Sequence, residues 1–263
     1  RICGCSIKTV KFFLSILSLM KTTVVAEIGS NWEGSISKAR KIIQECKDAD
    51  ADAVKFQMWR ARDLYSNKHP QWNVIKRSEL TFDKAKQIKK ISDDLGIEFF
   101  CSVFYPEGIE FLESIKVKRY KVASRTCLLK DPYALETLQS KAKTGKQIII
   151  SMGMGGDRNK IKRIFAKNNT IFCYCISDYP LKFNKINWSS AIQFDGFSDH
   201  TMGTTAAILF TTLKRQKNSS SIFIEKHVKA KNSKGPDAST SIDTLQLKDL
   251  ITHIRIIEKS KLN

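Results

Sequence analysis

Short β-rich apolar runs alternate with helix-patterned stretches through most of the chain, and that alternation leaves few folds open. The runs fall at 23–28, 53–57, 98–103, 120–124, 147–152, 170–175, 196–200 and 221–228. Between and after them lie amphipathic stretches at 38–47, 82–95, 107–114, 132–140, 158–166, 185–193, 205–213 and 242–258. Strands separated by helices pair in parallel, because each helix carries the chain back to the starting edge. Repeated eight times, the unit closes on itself, so the expected fold is α/β, a (β/α)8 TIM barrel. Glycines at the helix-to-strand joins, as in Leu95-Gly96-Ile97 and Thr144-Gly145-Lys146, agree. The 263 residues leave room for one such domain, read as 20–263, since a barrel takes about 250 residues.

In a strand, residues two apart share a face. Ser198 and His200 therefore point together, as do Glu225 and His227 on the next run. If the two runs are neighbours, two imidazoles meet at one end of the barrel with a carboxylate beneath, a plausible divalent-metal site. The other polar interruptions fall at the same ends: Glu27, Lys55, Gln57, Ser124 and Ser151. That rim is where a barrel of this kind builds its active site. Lys and Glu in the last turn of apolar strands are costly unless paired or used. Lys55 and Lys121 each interrupt an apolar strand; the pair suits an anionic ligand, and either one alone suits a Schiff base. Glu27 is a candidate general base, or a neutralising partner for Lys55.

A net charge of +19 invites a nucleic-acid reading. The lysines are instead spread along helix faces, as at Lys84, Lys86, Lys89 and Lys90, without interleaved aromatics or a nucleic-acid motif. Neither nucleic acid nor membrane is an expected partner, and the basic balance helps draw in an anionic small molecule. The seven cysteines are odd in number and form no CxxC pair, which points to a reducing compartment and cytoplasmic localisation. Residues 1–19 do not fit the barrel. Their apolar stretch resembles a signal-peptide core without a small-residue cleavage site, so they are read as an N-terminal extension.

The motifs, in order, are Ala26-Glu27-Ile28-Gly29-Ser30-Asn31-Trp32-Glu33-Gly34, Ala51-Asp52-Ala53-Val54-Lys55-Phe56-Gln57, Tyr120-Lys121-Val122-Ala123-Ser124 and Ser151-Met152-Gly153-Met154. Tyr179-Pro180, Ser198-Asp199-His200-Thr201, Glu225-Lys226-His227 and Gly235-Pro236-Asp237 follow. Together they resemble the sialic acid synthase (N-acetylneuraminate synthase) family, over a span from about Thr22 to the C-terminus. The resemblance implies condensation of phosphoenolpyruvate with an open-chain N-acyl amino sugar such as N-acetylmannosamine. It implies a bound divalent ion, manganese first, with magnesium or cobalt as alternatives. By motif position, His200 and His227 would hold the metal, and Lys55, Lys121, Ser124, Ser151 and Ser198 the phosphoenolpyruvate. Gln57, Tyr179 and Asp237 would face the sugar, Glu225 would belong to the substrate site, and Glu27 would activate water.

This sequence departs from the family at Trp32, where His is usual, and at Val103, where Thr is usual and a phosphate-side hydroxyl is expected to be lost. Thr126 stands for an acidic residue and Ser177 for Asn, which bears on the acceptor sugar. Members usually continue into an antifreeze-like domain that donates an arginine to the sugar of a partner subunit in a homodimer. That domain is read as absent from this chain, with Arg60 or Arg62, in the long loop 58–81, as substitutes. The alternatives are a Schiff-base aldolase on Lys55 or Lys121 and a barrel that binds ligand without turnover.

Overall fold

The computed structural model describes residues 21–219, 221–233 and 236–260. The extension 1–19 and Gly235 of the Gly-Pro-Asp motif lie outside the described residues. Eight parallel strands form the barrel: β1 (Thr22–Gly29), β2 (Ala53–Met58), β3 (Glu98–Val103), β4 (Arg119–Val122), β5 (Gln147–Ser151), β6 (Thr170–Tyr174), β7 (Gly196–Asp199) and β8 (Ile222–Lys229). They pair in sequence order, and β1 pairs with β8 over Thr22↔Ile222 to Glu27↔His227, which closes the sheet. The expected (β/α)8 barrel is the observed one.

Helices follow each strand where the apolar periodicity placed them, with ends set by local chemistry. Ser35 and Thr81 accept the N–H groups of Lys38 and Lys84 and so start the helices Ile36–Asp48 and Phe82–Asp94. Two expectations change. The stretch read as a helix over 185–193 keeps only Trp188–Ala191 as α-helix, capped by Asn187, after a 3₁₀ turn at Phe183–Lys185. The last helix begins at Thr244, because Ile242–Asp243 first adds a short strand, β9, beside β8. Asp243 and Gln246 then close a reciprocal capping box over the helix Thr244–Lys259.

Two apolar layers flank the sheet. The larger lies between the strands and the helices and includes Ile28, Phe56, Phe99, Val103, Phe197 and Leu250. The smaller fills the lower barrel interior with Val25, Ala53, Phe100, Ile149, Cys173 and Phe223. Each of these sits two residues before a polar or thiol side chain, on the same strand or, for Cys175, just past its end, so the interior turns from apolar to polar in a single step toward the C-terminal ends. Among the described residues, no helix is long and apolar enough to cross a membrane.

Candidate active site

Register decides which side chains meet. Glu27 lies opposite both Lys55 and His227, Ser102 opposite Lys121, and Ser198 opposite Glu225. All of them reach a cavity of about 320 Å³ at the barrel mouth, within the range of small-molecule sites. The remaining predicted site residues line the same cavity: Gln57, Ser124, Ser151, Tyr179, His200 and Asp237.

Glu225 is the hub. Its Oε1 takes a hydrogen bond from Lys121 Nζ at 2.8 Å and its Oε2 lies 3.6 Å from Lys55 Nζ. Lys55 Nζ also lies 2.8 Å from Glu27 Oε2 and donates to Ser102 Oγ at 3.1 Å. Lys121 Nζ donates to Ser151 Oγ at 2.9 Å and to Ser198 Oγ at 3.3 Å, and the two hydroxyls are 2.7 Å apart. Two ammonium groups and three seryl hydroxyls thus converge on one buried volume. With the carboxylates turned aside, these donors would cradle the oxygens of a phosphate or carboxylate.

The two carboxylates are driven in opposite directions. Burial raises the Glu27 carboxyl to about 7, and the adjacent Lys55 only partly offsets it. Burial also opposes ionisation of Glu225, but the Lys121 and Lys55 ammoniums outweigh it and hold that carboxyl well below the usual range. Burial opposes the Lys121 charge, but the Glu225 carboxylate, its hydrogen bond and the nearby Cys173 and Cys175 together outweigh it, so Lys121 is raised and stays an ammonium. A carboxyl poised near neutrality beside one that is firmly ionised is a pairing suited to acid–base work.

The imidazoles lie next to this network, with ring centroids 5.5 Å apart. His200 Nδ1–H donates to the Ile176 carbonyl at 2.7 Å, which leaves the Nε2 lone pair free. His227 Nδ1 is buried without a hydrogen-bond partner, and burial holds its ring toward the neutral form. An orphaned ring nitrogen beside a free lone pair fits a divalent ion. No group of three or more His, Cys, Asp and Glu side chains among the described residues could hold one, so an ion at this point would complete its shell with water or substrate oxygens.

The acceptor side is more varied. The Tyr179 ring leans over His200 at an interplanar angle of 35°, with ring centroids 4.1 Å apart. Gln57 Nε2 donates to Glu27 Oε1 at 2.7 Å, and Asp237 Oδ2 accepts from Ser30 N–H and Oγ–H at 3.1 and 2.6 Å. Gly29, at φ +53°, is required there: a Cβ would sit 2.8 Å from Asp237 Oδ2.

Several sequence readings need correction. Val103 packs in the outer core rather than facing the cavity, and the hydroxyl expected to be lost is supplied by Ser102, one residue earlier. Thr126, expected to bear on the acceptor sugar, does not line the cavity; Trp32, for which no site role was expected, is buried against Phe56. The loop 58–81 is built of two short helices, Ala61–Leu64 and Trp72–Arg77, and contributes Trp59, Leu64 and Tyr65 to the wall. Arg60 stacks on Tyr105 and lies 3.4 Å from Glu107, and Arg62 is exposed, so neither arginine lines the cavity. Arg125 does, with Nε and Nη2 each 2.7 Å from Asp131. Cys175 also lines it, its sulfur 3.8 Å from His200 Nδ1. Strand alternation signals Ser102 and Cys175, two residues beyond interior Phe100 and Cys173; no sequence signal marks Arg125.

Known proteins resemble this arrangement along the chain. The NeuB family is matched over residues 42–263. The N,N'-diacetyllegionaminic acid synthase of Campylobacter jejuni is 30% identical, covering 92% of this chain and 78% of that protein. Human N-acetylneuraminate-9-phosphate synthase is 26% identical, over 90% and 70%. The solved N-acetylneuraminic acid (sialic acid) synthetase of Leptospira borgpetersenii, in complex with citrate, superposes with a TM-score of 0.82 at 26% identity, covering 93% of this chain and 88% of that one.

Proposed function

The chain belongs to the NeuB family of acid synthases, and from that premise we propose that it condenses phosphoenolpyruvate with an N-acyl amino sugar. The products would be a sialic acid or a related nonulosonic acid, plus inorganic phosphate. One observation carries the reading: Lys55, Lys121, Ser102, Ser151 and Ser198 converge on a single buried volume adjoining two imidazoles.

The donors of β2 to β5 and β7 hold the phosphate and carboxylate of phosphoenolpyruvate. The acceptor sugar enters past Tyr179, Gln57 and Asp237, its aldehyde toward the imidazoles. His200 and His227 would hold a divalent ion, manganese by preference, which supplies Lewis-acid polarisation of the aldehyde when bound. The enol C3 forms the new carbon–carbon bond, and the aldehyde oxygen takes up a proton. Glu27, at about 7, removes a proton from the water that adds to C2. The C2–O bond to phosphate then breaks, the C2 hydroxyl loses its proton, and a 2-keto acid remains. Lys55 and Lys121 stabilise the charge that gathers on the departing phosphate.

A Schiff-base aldolase needs a neutral amine. Lys121 is instead held as an ammonium, with Glu225 its closest counter-charge, which argues against an aldolase built on that lysine. Buried free thiols at Cys46, Cys101, Cys127 and Cys173 support a reducing, cytoplasmic setting.

The test is phosphate release with manganese, phosphoenolpyruvate and a panel of 2-acetamido sugars, with product masses read in parallel and His200→Ala as control. Metal-dependent release, with a product of the mass of sugar plus pyruvic acid, is expected. Borohydride-stable attachment of pyruvate to Lys55 or Lys121 would establish the aldolase instead.

A further inference from the structure

Lys141 lies on the helix Ala134–Lys143 that follows β4, outside the barrel, and it is 0% exposed. No carboxylate among the described residues pairs with it. Its Nζ donates instead to the Val103 and Lys121 carbonyls, at 2.8 and 2.9 Å. A fully buried lysine without a counter-charge is costly. Burial pushes this one down to about 7. A side chain that unfavourable marks a place where its hydrogen bonds matter.

That place is a seam in the barrel. The β3–β4 ladder has two register pairs, Cys101↔Tyr120 and Ser102↔Lys121, and then stops. Its neighbours run further toward the mouth: β2–β3 to Met58↔Val103 and β4–β5 to Val122↔Ile150. Lys141 spans the gap from behind, one hydrogen bond to each strand. Beside its two acceptors stand the groups that form the anion cradle. Val103 follows Ser102, which receives Lys55, and Lys121 is itself the residue that reaches Ser151, Ser198 and Glu225.

We infer that Lys141 is a positioning residue: its side chain clamps the ends of β3 and β4 and so fixes the spacing between the Lys55–Ser102 limb and the Lys121 limb of the anion cradle. The inference rests on reading the mouth as a phosphoenolpyruvate site. It separates two roles for lysines of one site, since Lys55 and Lys121 face the ligand while Lys141 acts through the main chain.

Lys141→Met keeps the unbranched stem, one atom shorter, and removes the donor to both carbonyls, and Lys141→Gln restores two N–H groups without charge. For the folded Met variant, KM for phosphoenolpyruvate is expected to rise about tenfold, the scale of a lost hydrogen bond at a charged site. The affinity for inorganic phosphate, measured by calorimetry, should fall in step, while KM for the acceptor sugar stays within about twofold, well under 1 kcal/mol. The Gln variant should lie between the two. A general loss of packing would lower the melting temperature without this split between substrates. Folded Lys141→Met with wild-type KM for phosphoenolpyruvate and wild-type phosphate affinity overturns the inference. If the Met variant does not fold, wild-type values in folded Lys141→Leu, which also lacks the donor, do the same. A wild-type protein that neither binds phosphate nor turns over phosphoenolpyruvate contradicts the reading of the mouth. Wild-type turnover with unaltered variants contradicts only the role of Lys141.

Discussion

Two layers of the barrel interior differ by one step of two residues, about 7 Å along each strand. In the lower layer Val25, Ala53, Phe100, Ile149 and Phe223 form an apolar plug. In the upper layer the same strands present Glu27, Lys55, Ser102, Ser151 and Glu225. Faces, strands and closure are shared, so the difference lies in chemistry alone. The lower layer closes the barrel by burying hydrocarbon, and the upper layer holds its charged groups through their own hydrogen bonds.

That division can be broken from above. Lys121→Met removes the ammonium shared by Ser151, Ser198 and Glu225. Activity measured as phosphate release should fall about 10³-fold, the scale of removing one preorganised charge donor. Phe100→Ala breaks it from below. A loss of about 3–5 kcal/mol in urea unfolding is expected, while the folded fraction keeps its KM for phosphoenolpyruvate. A large change in that KM would show that the layers are not separable.

The pH dependence sharpens the contrast, because stability and activity should move in opposite directions. Burial raises Glu27 from 4.5 to about 7 in the folded state, so between those values the folded chain binds a proton the unfolded chain lacks. This group's contribution to stability is present at low pH and is lost as pH rises through about 7. A base must be unprotonated, so kcat/KM should fall as pH drops below the same value. Glu27→Gln should remove the acid limb at a low plateau of activity and flatten its share of the stability profile. An acid limb unchanged in Glu27→Gln would assign the titration to another group. A smaller effect separates the arginines. Arg125→Ala should raise KM for the acceptor severalfold, by about 1 kcal/mol for a lost charged contact. Arg60→Ala, packed on Tyr105, should leave it unchanged.

The barrel was legible because each strand is a short apolar run and each major helix spans at least two turns of periodic burial. The helices Ala61–Leu64 and Trp72–Arg77 were not, since four or six residues are too few to show a period. The twelve residues read as the site do share one cavity; alternation and the C-terminal rim locate ten of them, while Tyr179 and Asp237, in loops beyond β6 and β8, were placed by the family resemblance alone. Ser102 was missed by placing the hydroxyl by motif rather than by register; its pairing with Lys121 puts it inside and Val103 outside. Arg125 comes in from a turn beyond β4, and Lys141 acts from a helix. Neither position follows from strand alternation, and both require the tertiary structure.

The most direct measurement follows the bridging oxygen of phosphoenolpyruvate labelled with ¹⁸O between C2 and phosphorus. Condensation at the upper layer, with water adding to C2 and the C2–O bond breaking, places the label in released phosphate. Label retained in the organic product would mean that phosphorus–oxygen cleavage occurs first, and would contradict Glu27 as the base for water and the two lysines as stabilisers of the departing phosphate.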